Sequence, residues 1–137
     1  PLLVSFIPML MDTGGNCGSQ SSTLIIRGIA VDEIRFHDLF KVVFKEFRVA
    51  VLVGFVLAAV NGLRIMLIYH SLRMAVLIGL SLIATIILAK IVGCCLPLLA
   101  KKIGLDPAIM AAPLITTLVD TCSILIYFNI ATHLFSL

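Results

Sequence analysis

Residues 74–100, MAVLIGLSLIATIILAKIVGCCLPLLA, carry one charge, Lys90, in an otherwise apolar run. A helix needs about 20 apolar residues to cross a hydrocarbon core about 30 Å thick, so this stretch is long enough to span a bilayer. Two further stretches, residues 49–63 and 107–137, are charge-free or broken by a single carboxylate, Asp120. The apolar residues 1–11 are too few to span alone, but they span if the segment continues through 12–20 into 21–31. These stretches predict an all-α integral membrane protein with four transmembrane helices. Composition agrees, with 61% hydrophobic and 12% charged residues and a mean hydropathy of +1.22. A soluble domain carries about 25% charged residues. Too little polar surface is available to cover a globule, so lipid is the solvent for most of the chain.

The net charge is +3, and its distribution predicts topology. Arg27, Arg35, Lys41, Lys45 and Arg48 flank the first connection, and Lys101 and Lys102 lie in the third. The second connection carries Arg64 and Arg73, and no Lys or Arg follows the last span. An excess of Lys and Arg marks the cytoplasmic side. Residues 31–48 and 101–106 are therefore expected in the cytoplasm, with both ends of this chain outside. The basic residues fringe apolar spans rather than forming a separate domain, which argues against nucleic acid as a partner. No basic segment precedes the first apolar run, which argues against a signal peptide. A start at Pro1 implies that the natural N-terminus lies upstream.

The first crossing is unusual. Residues 12–23, DTGGNCGSQSST, are small and polar and fall near its middle. Loosened backbone at membrane depth is tolerated where it is buried in protein or lines water. Close helix packing also selects Gly and Ser. Both readings stand, with one face packing and the other lining a path. Residues 32–48 place apolar side chains at helical spacing and are expected to lie along the interface before a second crossing over about 47–69. Asn61-Gly62 marks a kink or the end of that helix. A third crossing is expected over about 71–99, with Lys90 snorkelling to the cytoplasmic interface. Asp106 suits an N-cap and Pro107 a first helical turn, and Pro113 then interrupts the fourth crossing. Tyr127 is expected in the outer aromatic belt. Cys17, Cys94, Cys95 and Cys122 show no metal-binding spacing and read as small apolar filler.

Asp120 carries the strongest chemical signal. An ionised carboxylate at the bilayer centre costs about 2.5–3.5 kcal/mol even on a lenient scale. Its neighbours one helical turn away are Thr116, Thr117, Ser123 and Ile124, none of them basic. Asp120 can be neutralised by Lys90, by a proton, or by a mobile cation. Thr116 and Asp120 share a helix face with Thr117 and Thr121 beside them, offering only oxygen ligands. Such a lining suits Mg2+, Ca2+ or Mn2+ and disfavours zinc and copper. Asp12, a second intramembrane acid in small polar surroundings, is a further candidate for ion contact. His37, His70 and His133 fall at expected interfaces.

Ordered blocks along the chain resemble one family. Phe6-Ile7-Pro8-Met9-Leu10-Met11 is followed by Thr13-Gly14-Gly15-Asn16-Cys17-Gly18-Ser19-Gln20-Ser21-Ser22-Thr23 and Arg27-Gly28-Ile29-Ala30. Lys45-Glu46, Gly104-Leu105-Asp106-Pro107-Ala108, Pro113-Leu114-Ile115-Thr116-Thr117, Asp120 and Ile126-Tyr127-Phe128 continue the series. Together they resemble the transmembrane domain of the MgtE magnesium channels and transporters. The resemblance covers nearly the whole chain and implies one pore domain over residues 1–137. It implies a homodimer whose pore lies on the two-fold axis, lined by the first and fourth crossings. It places the pore aspartate at Asp120, with Gly15, Asn16 and Thr116 around a hydrated ion. Glu46 and Glu33 match acidic positions at the cytoplasmic side. The family's bundle of five helices would here lack its first, and nothing in the chain resembles its cytoplasmic N-terminal and CBS domains.

The resemblance thus implies passage of largely hydrated Mg2+ through the cytoplasmic membrane, and the sequence does not separate Mg2+ from Mn2+ or Co2+ as the ion. The competing class is a secondary transporter coupling a divalent cation to Na+ or H+, with Asp12 and Lys90 as coupling candidates. An enzyme needs a paired acid and base or an activated nucleophile, and no such constellation is found in the sequence.

Overall fold

The computed structural model describes residues 2–31, 36–106 and 112–135. A short α1 (Leu2–Ser5) leads into α2 (Ile7–Ala30), and a single 3-10 turn at Phe36–Asp38 leads into α3 (Leu39–Tyr69). Two further long helices follow, α4 (Leu72–Lys102) and α5 (Ala112–Phe135). Three segments, Leu39–Tyr69, Leu72–Lys102 and Leu114–Leu134, are long and apolar enough to cross a membrane. At 1.5 Å per residue the 24 residues of α2 reach about 36 Å, also enough to span. Its polar middle dilutes its hydropathy, so length and packing, rather than apolar composition, make α2 part of the bundle.

The centre of the bundle is α4, which packs against α2, α3 and α5, while α2 also packs along α5. Buried side chains form three clusters along its length. Phe6, Leu10, Ile65, Leu77, Ile78, Leu82 and Tyr127 fill one end. Cys17, Ala50, Ile86, Ala89, Ile115 and Val119 fill the middle, and Ile25, Cys94 and Leu98 the other end.

The outward faces of α2 and α3 have opposite chemistry. On α3, Leu52, Phe55, Val56, Val60, Leu63 and Leu67 are exposed, an apolar face suited to lipid. On α2, Asp12, Asn16, Gln20, Thr23 and Arg27 are exposed at helical spacing, a polar face that lipid cannot solvate.

Several local expectations are corrected. Residues 12–23 do not loosen the helix, because α2 runs unbroken through all its glycines. Gly14, Gly18 and Ser21 are buried against the neighbouring helices, so packing compensates for their weak helix propensity. Residues 39–48 do not lie apart at the interface, since α3 is continuous from Leu39 to Tyr69. No Gly or Pro occurs before Gly54 in α3, so nothing in the sequence stops the helix there. Nor does Asn61-Gly62 end it: Asn61 Nδ2 donates to the Leu57 carbonyl at 2.9 Å, bonding back onto its own helix. The end comes at His70, in the left-handed region with φ 52°. Ser71 then caps α4, its Oγ accepting from Met74 N–H at 3.2 Å.

Tyr127 is fully buried in the first cluster rather than standing in an interfacial belt. Lys90 is only 8% exposed, so it does not snorkel. At the far end of α4, Gly104 (φ 87°) lets the chain close on itself, with Gly104 N–H donating to the Lys101 carbonyl and Leu105 N–H to that of Ala100. Residues 107–111 lie outside the described residues, as do Glu33 and Arg35, so the expected start at Pro107 falls there. Pro113 is the second described residue of α5, so the expected interruption at Pro113 also involves residues outside the described ones.

Candidate ion pathway

The middle of α2 presents two faces to two tasks. Gly14 and Gly18 point into the bundle. A Cβ added at Gly14 would lie 2.7 Å from Thr85 Cγ2 and 2.9 Å from Val119 Cγ1, and one at Gly18 would lie 2.8 Å from Ile115 Cγ2. Only glycine permits so close an approach of α2 to α4 and α5. One residue on, Gly15 faces a different space. A Cβ there would lie 3.3 Å from Thr116 Cγ2 and 3.9 Å from Asp120 Oδ1.

That space is a cavity of about 250 Å3 lined by Met11, Asp12, Gly15, Asn16, Thr116 and Asp120. Five of the residues singled out from the sequence therefore meet on one wall: Asp12, Gly15 and Asn16 from α2, and Thr116 and Asp120 from α5. Asp120 Oδ1 is buried and accepts no hydrogen bond from the described residues, and the buried hydroxyls of Ser81, Thr85 and Ser123 likewise have no partner there. Asn16 Nδ2 lies 3.5 Å from Asp12 Oδ2, a long contact that leaves both groups open to water. Ser19 Oγ lies 3.4 Å from Thr116 Oγ1 and ties α2 to α5 beside the cavity.

The remaining candidates lie elsewhere. Thr121 Oγ1 donates to the Thr117 carbonyl at 3.1 Å, so that hydroxyl is turned back onto its own helix. Glu46 is not on the cavity wall. Its Oε2 accepts from Ser21 Oγ at 2.9 Å and lies 3.6 Å from Lys90 Nζ, both carboxylate and ammonium being buried. Lys90 thus forms its ion pair with Glu46. His37 lies 3.4 Å from Asp38 Oδ1 at the exposed start of α3. Among the described residues no group of three or more His, Cys, Asp or Glu side chains could hold a metal ion. The cavity offers two carboxylates with neutral oxygens, a donor set for a hard cation that keeps its waters.

Sequence reasoning missed Met11, Ser19 and the link from Ser21 through Glu46 to Lys90. Met11 and Ser19 stand four residues to either side of Gly15, and that spacing was a usable signal. The pairing of Glu46 with Lys90 joins residues far apart in the chain, and no local pattern announces it.

The sequence model of the MgtE family, described as divalent cation transporter, matches residues 7–130. Over 129 residues the chain is 38% identical to the magnesium transporter MgtE of Thermus thermophilus, covering 94% of this chain and 28% of that protein. It is 37% identical over 135 residues to the magnesium transporter MgtE of Enterococcus faecalis, covering 96% and 29% respectively. For the magnesium transporter MgtE of Bacillus subtilis the identity is 35% over 130 residues, covering 95% and 29%. The chain spans less than a third of the length of these curated relatives. With matches of this extent at both levels, the chain belongs to the MgtE family of divalent cation transporters.

Proposed function

We propose that this chain is the membrane pore of a magnesium channel, in which two copies face each other and pass largely hydrated Mg2+ between their Asp120 side chains. The observation that carries the proposal is the Asp120 carboxylate on the wall of a polar cavity, with no ion-pair partner among the described residues, in a helix apolar enough to cross a membrane. A travelling divalent cation supplies the missing counter-charge. The polar outward face of α2 supports the second copy. Asp12, Asn16, Gln20 and Thr23 are exposed on a single chain and cannot face lipid, whereas a dimer interface enclosing water would cover them.

Mg2+ gives up water reluctantly. Six waters at about 30 Å3 each need about 180 Å3, and the cavity of about 250 Å3 has room for them. Selection then works by size and through water-mediated hydrogen bonds to Asp120, Thr116, Asn16 and Asp12. Weak outer-shell contact lets the ion leave again. Mn2+ and Co2+, which accept similar oxygen ligands, are further cargo. The distribution of basic residues assigns residues 31–48 and 101–106 to the cytoplasmic side of the cell membrane.

The test is magnesium flux into liposomes carrying the intact protein, at a fixed magnesium gradient. Wild-type protein passes magnesium with or without a Na+ or H+ gradient, and Asp120→Asn loses most of the flux. Full flux in Asp120→Asn overturns the role of the carboxylate. Flux that depends on a Na+ or H+ gradient makes the protein a coupled carrier instead.

A further inference from the structure

Behind the pore-facing side of α2, three polar side chains from three helices meet away from the cavity. Ser21 of α2 donates to Glu46 Oε2 of α3 at 2.9 Å. Lys90 of α4 lies 3.6 Å from the same oxygen and 3.5 Å from Ser21 Oγ. Glu46 and Lys90 are 9% and 8% exposed and Ser21 is fully buried, so the group is cut off from water and from the cavity alike. We propose that Ser21, Glu46 and Lys90 form a charge-paired latch that fixes the rotation of α2, and so act as positioning residues for the ion path.

The proposal rests on reading the cavity as that path, and its physical basis is a directional contact set beside a close glycine crossing. Beside the latch, α2 crosses α4 at Gly18 and Gly93, where a Cβ on Gly93 would strike the Gly18 carbonyl oxygen and lie 3.1 Å from Ser21 Cβ. Thr85, Val119 and Ile115 pack against Gly14 and Gly18 and limit the turning of α2, but these apolar contacts are not directional. The hydrogen-bonded ion pair adds a directional contact that selects one rotation. Ser21 follows Asn16 by five residues, which is about 7.5 Å along the axis and about 140° around it. The latch and the pore face therefore occupy different sides of one rigid helix. Turning α2 at Ser21 carries Gly15 and Asn16 away from Thr116 and Asp120.

An ion pair is suited to this task in a membrane. With both partners present the site is neutral. With one removed, the other is left as an uncompensated buried charge, which is far more disruptive than replacing both. Single and paired substitutions should therefore behave differently.

The experiment uses the intact protein in liposomes, with the natural cysteines replaced and Asn16→Cys as a reporter for a water-soluble thiol reagent. Glu46→Gln and Lys90→Met are compared singly and together, and Ser21→Ala separately. Each single charge substitution is expected to change the Asn16→Cys labelling rate by about tenfold or more, and the pair to restore it largely. In the same charge variants carrying native Asn16, the half-saturating magnesium concentration is expected to shift singly and recover in the pair. A purely structural role lowers the amount of active protein and hence maximal flux, and leaves half-saturation and labelling rate unchanged. If a single variant does not reach the membrane, Ser21→Ala decides: a several-fold change in labelling supports the latch, and an unchanged rate overturns it. Single variants that label like the parent, or a folded double variant that labels like the singles, also overturn it. Labelling reads the placement of α2 without any flux. Wild-type protein that passes no magnesium would refute the channel reading while the latch is still tested.

Discussion

Two adjacent glycines should respond differently to the same added methyl group, one chiefly in stability and the other chiefly in flux. At Gly14 the new Cβ would lie 2.7 Å from Thr85 Cγ2, 2.9 Å from Val119 Cγ1 and 3.2 Å from Ser123 Oγ. Overpacking of this kind costs about 1–3 kcal/mol, offset by about 1 kcal/mol of improved helix propensity. The net change for Gly14→Ala is a loss of about 0–2 kcal/mol. At Gly15 the nearest atom is 3.3 Å away, and the methyl sits in the cavity 3.9 Å from Asp120 Oδ1. Its helix gain of about 1 kcal/mol is opposed only by the few tenths of an ångström that the Thr116 methyl must give, so Gly15→Ala is less destabilising than Gly14→Ala. Function behaves differently. A methyl carbon there narrows the cavity beside the carboxylate and displaces a water that would bridge the ion to its wall. One hydrogen bond to a charged group is worth about 1.5–3 kcal/mol, so ion occupancy and flux should fall about 10- to 100-fold. Thermal unfolding in detergent and magnesium flux in liposomes, measured on the same preparations, separate the two effects. A Gly15→Ala protein with full flux, or a Gly14→Ala protein more stable than Gly15→Ala, would refute the division of α2 into a packing face and a pore face.

Other substitutions test the packing that holds the site. Gly93→Ala drives a methyl into the Gly18 backbone, which cannot rotate aside as a side chain can, so α2 and α4 must separate. A net loss of about 2 kcal/mol or more is expected in thermal unfolding, after the helix gain of about 1 kcal/mol is subtracted. Gly62→Ala is the control. Nothing lies within 4 Å of its added Cβ, so it should gain about 1 kcal/mol with flux unchanged, and a loss of stability would show that α3 is packed differently.

The long apolar runs were legible because a bilayer demands many consecutive apolar residues, and residues 49–63 and 74–100 satisfy that with little ambiguity. α2 was harder to read, since its Gly and Ser residues serve both close packing and a polar lining. Only the observed rotation separates Gly14 and Gly18 from Gly15 and Asn16. Asp12, Thr116 and Asp120 on the candidate wall are legible because polar side chains are conspicuous in lipid-spanning segments, whereas Gly15 and Asn16 follow only from the family resemblance. Lys90 was misread for a related reason. A long cationic side chain near a helix end usually snorkels, and the carboxylate that holds this one comes from a distant helix. Tyr127 was placed in an interfacial belt by its type, yet it packs with Phe6 and Leu10 in the core. In both cases tertiary packing overrode a rule based on residue type and depth alone.

The central claim is that a hydrated divalent cation is the partner of Asp120. Anomalous scattering from Mn2+ soaked into crystals of the intact protein would locate that ion directly, since Mn2+ accepts the same oxygen ligands. Two copies of Asp120 should flank one peak at about 4–5 Å from the nearer carboxylate oxygen, the sum of a metal–water and a water–carboxylate distance. A cavity without the ion, with Asp120 closed onto Lys90 or turned away from water, would contradict the account.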